Sequence, residues 1–172
     1  MSIYTRQGDD GRTRLPGGEP MFKDSLALEA CGTIDELGAS LGLARCEALP
    51  GKMARLLERI QHTLLQLNAE LADPGRRADA LRAVGAAHVE ALEADIECCE
   101  AKLAPLDTFV LPGRARGEAA LHFARTVCRR AERGVISLAQ AEPHRVSEHH
   151  LAYLNRLSDL LFVLARDAVA GC

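Results

Sequence analysis

Apolar residues recur at steps of three and four along most of this chain, the spacing of one face of an α-helix. Five such stripes follow one another, and Pro, Gly or Ser marks the breaks between them. The stripes are Ile34, Leu37, Leu41 and Ala44; Met53, Leu56, Ile60, Leu64, Leu67 and Leu71; Val89, Leu92, Ile96, Cys99 and Leu103; Ala120, Phe123, Val127, Ala131, Val135 and Leu138; and Leu151, Leu154, Leu157, Leu161, Leu164 and Ala168.

Five amphipathic helices with short connections predict an all-α fold, a five-helix up-and-down bundle packed at shallow angles. We expect one domain over residues 1–172, with the bundle at 24–170. Residues 1–22 are rich in Gly, Thr and charge and are predicted to form an ordered loop or arm. No strand pattern competes, although residues 2–5 have an extended character. Residues 76–88 are either a polar surface segment or the first turn of the third helix.

The composition indicates which classes of binding partner and which cellular compartment to expect. The formal net charge is −3, which gives no general attraction for nucleic acid or an acidic membrane. No apolar stretch is long enough to span a bilayer, and the first residues lack the apolar core of a secretory signal. The six cysteines form no C-x-x-C pair, so we expect buried thiols rather than a disulfide framework, in a cytoplasmic protein.

A Gly-rich segment near the start is a candidate phosphate cradle. It runs Thr-Arg-Gln-Gly-Asp-Asp-Gly-Arg-Thr over residues 5–13, and Lys23 follows a second Gly pair. Glycines allow successive backbone N–H groups to converge on an anion. Taken alone, a Gly-Asp segment of this kind usually forms ordinary turns, and it is not a Walker A loop because no Gly-Lys-Ser/Thr follows.

The fourth stripe carries a basic ladder. Arg125, Arg129 and Arg133 are four residues apart, so they stack along one side of a helix and repel one another. A polyphosphate would offset that repulsion, and the planar guanidinium groups suit its oxygens. A solvated basic face with Glu132 as an internal partner is the plainer alternative.

Three further segments contain candidate functional residues that ordinary structural roles would also explain. Asn155-Arg-Leu-Ser-Asp159 interrupts the apolar fifth stripe and would place Asn155 and Asp159 on one face. Gly32 lies inside a helical pattern, which suggests close approach of another backbone or a ligand, and Asp35 and Glu36 follow it. Residues 109–113, Phe-Val-Leu-Pro-Gly, are expected to plug one end of the core.

A ferritin-like metal bundle is the main structural rival. It would require Glu-x-x-His motifs on facing helices. No Glu in this chain has His three residues later, and the six histidines show no ligand spacing. The His149-His150 pair is expected to lie on the surface at a helix N-terminus.

The order of these segments along nearly the whole chain resembles the PduO-type ATP:cob(I)alamin adenosyltransferases. The resemblance rests on Thr-Arg-x-Gly-Asp-x-Gly-x-Thr, Lys23, Gly-x-x-Asp-Glu-Leu, Phe-x-x-Pro-Gly, Arg-x-x-x-Arg-Arg-Ala-Glu-Arg and Asn-Arg-Leu-Ser-Asp, in that order. The chain departs from the usual pattern at Ala27, Cys31, Asp73 and Arg114. The resemblance implies a bundle of ferritin-like shape, assembled as a homotrimer with active sites between subunits.

The resemblance also implies roles for individual residues. Those expected at ATP are Thr5, Arg6, Gly8, Asp9, Gly11, Thr13, Lys23, Arg129, Glu132 and Asn155. Those expected to act in catalysis are Arg125, Arg129, Asp35 and Phe109, with Asp35 paired to Arg125 across the interface. Those expected at cobalamin are Phe109, Asp35 and Gly32. Mg²⁺ would be bound mainly through ATP, with Glu132 as a protein ligand.

The implied reaction moves the 5′-deoxyadenosyl group of ATP onto cob(I)alamin, giving adenosylcobalamin and triphosphate. The implied partners are a cobalamin reductase and an adenosylcobalamin-dependent acceptor enzyme, with no role for nucleic acid or membrane. The alternative is a non-catalytic carrier or sensor that binds ATP and a cobamide on the same trimeric bundle.

Overall fold

Five α-helices dominate the computed structural model, which describes residues 4, 6, 8–16, 18, 20–75 and 83–170. The helices are α1 (Leu26–Arg45), α2 (Gly51–Ala72), α3 (Ala86–Glu100), α4 (Arg116–Ala141) and α5 (Glu148–Asp167). A short 3₁₀ turn, Pro143–Arg145, joins α4 to α5. Each predicted stripe lies on one of these helices except for its last residue in two cases, Leu103 beyond α3 and Ala168 beyond α5, and the all-α five-helix bundle is confirmed.

The helices alternate in direction, as expected for an up-and-down bundle. Helix α4 packs between α1 and α5, α1 also packs against α2, and α5 against α3. Contacts between α1 and α4 pair Glu36 with Arg130 and Thr33 with Gly134, so these two helices are antiparallel. An ion pair between Arg59 and Asp95 ties α2 to α3 and closes the bundle.

The core is built mainly from Leu, Ala and Val. Leu37, Leu57, Leu67, Leu121 and Leu161 have no exposed surface. Burial is uneven, because α3 places only Leu92 fully inside, whereas α4 and α5 are buried along most of their length. Phe123, predicted to lie on the apolar stripe of α4, is 54% exposed, and His122 is buried in its place.

The N-terminal segment contains two short strands that the sequence pattern missed. The strands β1 (Arg12–Arg14) and β2 (Pro20–Phe22) form an antiparallel hairpin in which Arg12 pairs with Phe22. The guanidinium of Arg12 lies 4.6 Å from the centre of the Phe22 ring, a cation–π contact across the strands. Leu15 and Met21 attach the hairpin to the core. The prediction that no strand competes was therefore wrong.

The cysteines only partly follow the expectation of buried thiols. All those described are free: Cys31 and Cys128 are buried, Cys99 is half-buried, and Cys46 and Cys98 are exposed. Burial raises the pKa of Cys31 to about 11. Cys172 lies outside the described residues, as does most of the 76–88 segment, whose last three residues begin α3. None of the described helices has the length and low polarity needed to cross a bilayer.

A buried Glu–His pair joins three parts of the bundle. His150 is fully buried, contrary to the predicted surface position, and its Nε2 lies 2.8 Å from Oε2 of Glu70 on α2. The other oxygen of Glu70 accepts the backbone N–H of Val84, just before α3. His150 Nδ1 accepts the backbone N–H of Ser147, and the Ser147 hydroxyl accepts the backbone N–H of His150. These two reciprocal hydrogen bonds cap the N-terminus of α5, so His150 serves both the cap and the buried pair.

We expect His150→Ala to lower the free energy of unfolding by roughly 3 kcal/mol, because it leaves a buried carboxylate without its main side-chain partner. Urea denaturation followed by circular dichroism measures this loss. The control is His62→Ala, which removes an exposed histidine from α2. Equal stability of the two variants would contradict a structural role for the pair.

Candidate functional site

An open groove between α3, α4 and α5 contains two arginines of the basic ladder. Its volume is about 380 Å³. Arg125 and Arg129 line it together because four residues advance a helix by about one turn. Arg133 is not part of the lining. The other lining residues are Ile96, Glu100, Arg156, Ser158, Asp159, Phe162 and Val163.

Arg125 is held at the wall of the groove with an unsatisfied nitrogen. Its guanidinium carbon lies 5.9 Å from the centre of the Phe162 ring. Its Nε atom is buried and makes no hydrogen bond with any described residue. A buried N–H without an acceptor destabilises the protein by about 1–3 kcal/mol. An anion in the groove would supply the missing acceptor.

The charges of the groove are only partly neutralised. Arg156 pairs with Glu93 at 2.9 Å and with Asp159 at 3.5 Å. Arg125 and Arg129, by contrast, form no ion pair with any described residue. The residues that line the groove include three guanidinium groups and two carboxylates, those of Asp159 and Glu100, so the lining carries one excess positive charge. Such a site favours a multiply charged anion.

Glu132 and Asn155 join α4 to α5 by a side-chain contact. The amide of Asn155 donates to Oε1 of Glu132 over 3.2 Å. The second carboxylate oxygen of Glu132 accepts no hydrogen bond from a described residue. Within the described residues no group of three or more His, Cys, Asp or Glu side chains is placed to hold a metal ion.

The N-terminal segment forms a turn closed by Lys23. The ammonium of Lys23 donates to the carbonyl of Gly8 over 2.6 Å, and its backbone N–H donates to the carbonyl of Gly11 over 3.0 Å. Gly11 has φ +81°, which a side chain would strain. Asp9 is exposed beside this turn, and Arg6 stacks near Tyr4 at 5.8 Å.

The turn and the groove are separate within one chain. Thr13 lies in β1, opposite Met21. None of the described N-terminal residues lines the groove, and the hydrogen bonds of residues 8–23 stay within residues 8–25. Thr5 lies outside the described residues. Within the described part of the chain, the structure therefore does not bring the predicted phosphate cradle to the basic ladder.

Asp35 and Gly32 lie on another face of the bundle. Asp35 accepts a hydrogen bond of 2.7 Å from Asn68 and lines a pocket of about 300 Å³ between α1 and α2. The ion pair from α1 to α4 uses the neighbouring Glu36, which meets Arg130. Gly32 is exposed, and a Cβ added there would contact nothing within 4 Å. The close approach predicted at Gly32 is thus absent within the described part of the chain.

Phe109 is fully exposed on the loop between α3 and α4. The prediction that this loop plugs the end of the core was wrong, because Leu106 and Leu111 also face outwards. The end of the core is filled instead around α4, where a Cβ on Gly117 would lie 2.6 Å from a methyl carbon of Leu49. The loop presents an apolar surface rather than burying one.

Sequence reasoning missed the buried residues Glu118 and His122. Oε1 of Glu118 lies 3.3 Å from Nε2 of His122, and the His122 ring packs edge-on against Phe162. Burial lowers the pKa of His122; Arg125 adds to that shift, and Glu118 opposes it. The spacing of four residues on one helix was the available signal.

Comparison with known proteins identifies similar chains over nearly the whole length. Residues 3–168 match the family model described as cobalamin adenosyltransferase. The chain is 44% identical to the corrinoid adenosyltransferase PduO of Salmonella typhimurium, over 96% of this chain and 49% of that protein. It is also 44% identical to the cobalamin adenosyltransferase of Cupriavidus metallidurans, over 95% of this chain and 86% of that protein. The chain thus spans about half the length of the Salmonella relative.

Solved structures agree in fold. A PduO-type ATP:corrinoid adenosyltransferase from Lactobacillus reuteri, a Phe-to-Ala variant complexed with cobalamin and ATP, superposes with a TM-score of 0.85. It is 33% identical, and the match covers 97% of this chain and 93% of that one. An Arg-to-Lys variant of the enzyme from the same organism, complexed with ATP, also gives 0.85.

We expect the protein to lose stability as the pH falls from about 7.5 to about 5.5 in a way that depends on His122. The unfolded chain takes up a proton near the ordinary pKa of 6.5, whereas the folded chain, with its lowered pKa, resists protonation. The free energy of unfolding therefore falls as the pH drops below that value. Urea denaturation of the wild type and of His122→Gln tests this. Parallel pH profiles for the two proteins would contradict it.

Proposed function

The chain belongs to the cobalamin adenosyltransferase family, and we propose that it transfers the 5′-deoxyadenosyl group of ATP to cob(I)alamin. The products are adenosylcobalamin and triphosphate. The relatives with closely matching length carry the same family name, and the similar solved structure holds both cobalamin and ATP. These likenesses support the activity, and the groove supplies a physical basis for it.

The observation that carries the proposal is the pair of uncompensated guanidinium groups. Arg125 and Arg129 line one groove, neither forms an ion pair with a described residue, and Arg125 has a buried nitrogen without an acceptor. Two arginines that repel each other destabilise the ligand-free protein. A triphosphate offsets this cost, since it offers several charged oxygens to planar donors.

The reaction needs charge stabilisation more than proton transfer. The Co(I) centre of the substrate is a strong nucleophile that attacks the 5′ carbon of ATP. A cobalt–carbon bond forms, the bond from carbon to the phosphate oxygen breaks, and its electron pair leaves with the triphosphate. Arg125 and Arg129 stabilise the charge that develops on this leaving group. Binding also places the nucleophile, the carbon and the leaving oxygen in line.

Magnesium fits the residues present as an ion carried mainly by ATP. Mg²⁺ usually keeps several waters and binds through one or two carboxylates together with substrate phosphates. Glu132 offers one carboxylate oxygen, while Asn155 holds the other. When bound, the ion neutralises charge on the triphosphate. Glu132 would be the protein residue that holds the ion, with Asn155 fixing the orientation of its carboxylate.

The separation of the turn from the groove supports a site shared between subunits. We propose that the N-terminal segment, with Arg6, Gly8, Asp9, Gly11, Thr13 and Lys23, lies against the groove of a neighbouring subunit in a homotrimer. The ammonium group of Lys23 has three N–H donors. One of them donates to the Gly8 carbonyl, so two can donate to phosphate oxygens. Asp35 would then meet Arg125 across the same interface.

The corrinoid would bind beside the exposed loop. Phe109 brings a ring without a coordinating atom, so it excludes water and an axial ligand from the cobalt and makes Co(II) easier to reduce. Asp35 and Gly32 complete the corrinoid side in the neighbouring subunit. Because the substrate is Co(I), a cobalamin reductase must supply electrons. An adenosylcobalamin-dependent enzyme would accept the product, and we propose that the exchange with both partners takes place in the cytoplasm.

We expect Arg129→Ala to lower kcat by about a hundredfold to a thousandfold, the usual effect of removing one group that stabilises developing charge. The assay mixes protein, ATP, Mg²⁺ and chemically reduced cobalamin without oxygen and follows the absorbance of the cobalt–carbon product. The control is Arg55→Ala, which removes an exposed arginine of α2 outside the groove.

Two outcomes would overturn the proposal. An equal loss of kcat in Arg129→Ala and Arg55→Ala would contradict binding of the triphosphate at α4. Absence of product with the wild type, while calorimetry still detects ATP binding, would indicate a carrier or sensor of ATP and cobamide.

A further inference from the structure

The loop that presents Phe109 is tied down only at its two ends. It links α3 to α4, and its residues 105–112 make no hydrogen bond with any described residue. At the first end, the guanidinium of Arg166 on α5 donates to the carbonyl of Ala104. At the second end, the backbone meets Glu118. Between these anchors Leu106, Phe109 and Leu111 are exposed.

Glu118 binds two successive backbone N–H groups with one oxygen. Its Oε2 accepts from Gly113 over 2.8 Å and from Arg114 over 3.0 Å. Gly113 has φ +116°, a conformation that side chains rarely adopt, which turns the two N–H groups toward one point. Consecutive N–H groups arranged in this way form an anion-binding concavity, here occupied by the protein's own carboxylate.

Glu118 is buried beside His122, whose pKa is lowered by burial, so this histidine supplies little positive charge to offset the carboxylate. The exposure of Glu118 is 1%, and a buried carboxylate is stable only when hydrogen-bonded or paired. Part of the stabilisation comes from its place in the first turn of α4, where the helix dipole favours negative charge. Helix α4 begins after Ala115, which has no side-chain oxygen to cap it. Glu118 does not cap the helix either, because its Oε2 accepts from two N–H groups of the preceding loop.

The same carboxylate contacts the wall of the groove through His122. Oε1 of Glu118 lies 3.3 Å from Nε2 of His122, whose ring centre is 5.9 Å from that of Phe162. Phe162 lines the groove beneath Arg125. The loop end and the groove wall are therefore linked by one cluster, formed by the buried Glu118 and His122 and the half-buried Phe162.

We propose that Glu118 is a positioning residue for the corrinoid: it fixes the end of the 104–115 loop so that the exposed Phe109 meets the apolar face of the macrocycle beside the groove. The inference rests on the proposed adenosyltransferase function. Glu118 touches neither substrate and acts through the backbone of Gly113 and Arg114. Loss of the anchor lets the loop take many conformations, so the corrinoid loses affinity while ATP does not.

The first test compares wild type, Glu118→Ala and Glu118→Gln. Hydrogen–deuterium exchange resolved to the amides of residues 113 and 114 reports the anchor itself, without substrates. We expect both amides to exchange faster in Glu118→Ala than in the wild type. Exchange in Glu118→Gln should be slower than in Glu118→Ala, because the Gln side-chain oxygen can still accept the two hydrogen bonds. We expect the KM for cob(I)alamin to rise about tenfold to a hundredfold in Glu118→Ala, with KM for ATP unchanged and partial recovery in Glu118→Gln.

A second variant tests the loop without touching the core. Gly113→Ala strains the backbone at φ +116° on an exposed residue, so the fold is kept while the two N–H groups turn apart. It should raise the KM for cob(I)alamin in the same way. The control is Gly51→Ala at the start of α2, where an added Cβ is 3.6 Å from the nearest atom.

The outcomes separate this inference from the function on which it rests. Faster amide exchange with an unchanged KM for cob(I)alamin would overturn the positioning role. Unchanged exchange in Glu118→Ala would overturn the anchor. A wild type that protects both amides but forms no product would overturn the proposed function, and with it the role of the loop in corrinoid binding.

Discussion

The burial of one side of α4 between α1 and α5 determines where the polar groups of this protein lie. Ala124, Cys128, Ala131, Val135 and Leu138 are all fully enclosed, which fixes the rotation of the helix about its axis. Once that rotation is fixed, Arg125 and Arg129 must lie at the edge facing α5, and Arg130 at the edge facing α1. The groove, the Glu36 pair and the Glu118 cluster are therefore consequences of the same packing, and a change in the small residues of this stripe would displace all of them.

The five helices could be predicted because the helical period appears directly in the positions of apolar residues. The hairpin could not, since strands of three residues depend on contacts such as Arg12 with Phe22 that have no local period. The burial of His150 rather than His149 also depends on a contact that the local sequence does not indicate. Which of two adjacent histidines is buried depends on Glu70, eighty positions earlier, and no local pattern records that contact.

The sequence could indicate which polar side chains lie near one another where they share a helix face or lie on two packed helices. Arg125 with Arg129, and Glu132 with Asn155, lie together as their spacing and the order of motifs suggested. The N-terminal turn, by contrast, does not meet these residues within the described part of one chain. Glu118 was missed for a different reason. Its spacing from His122 was a signal for that contact only; its other partners are backbone N–H groups, which every residue but proline has, so the sequence does not indicate which of them the carboxylate meets.

The unsatisfied nitrogen of Arg125 has a thermodynamic consequence for the protein as a whole. An anion that binds the folded groove and not the unfolded chain adds RT ln(1 + [L]/Kd) to the stability, about 2.7 kcal/mol at a hundred times Kd. The midpoint of thermal unfolding then rises with the logarithm of ligand concentration. For a chain with a typical stability of about 5–15 kcal/mol, the fraction unfolded in solution depends measurably on the supply of that anion.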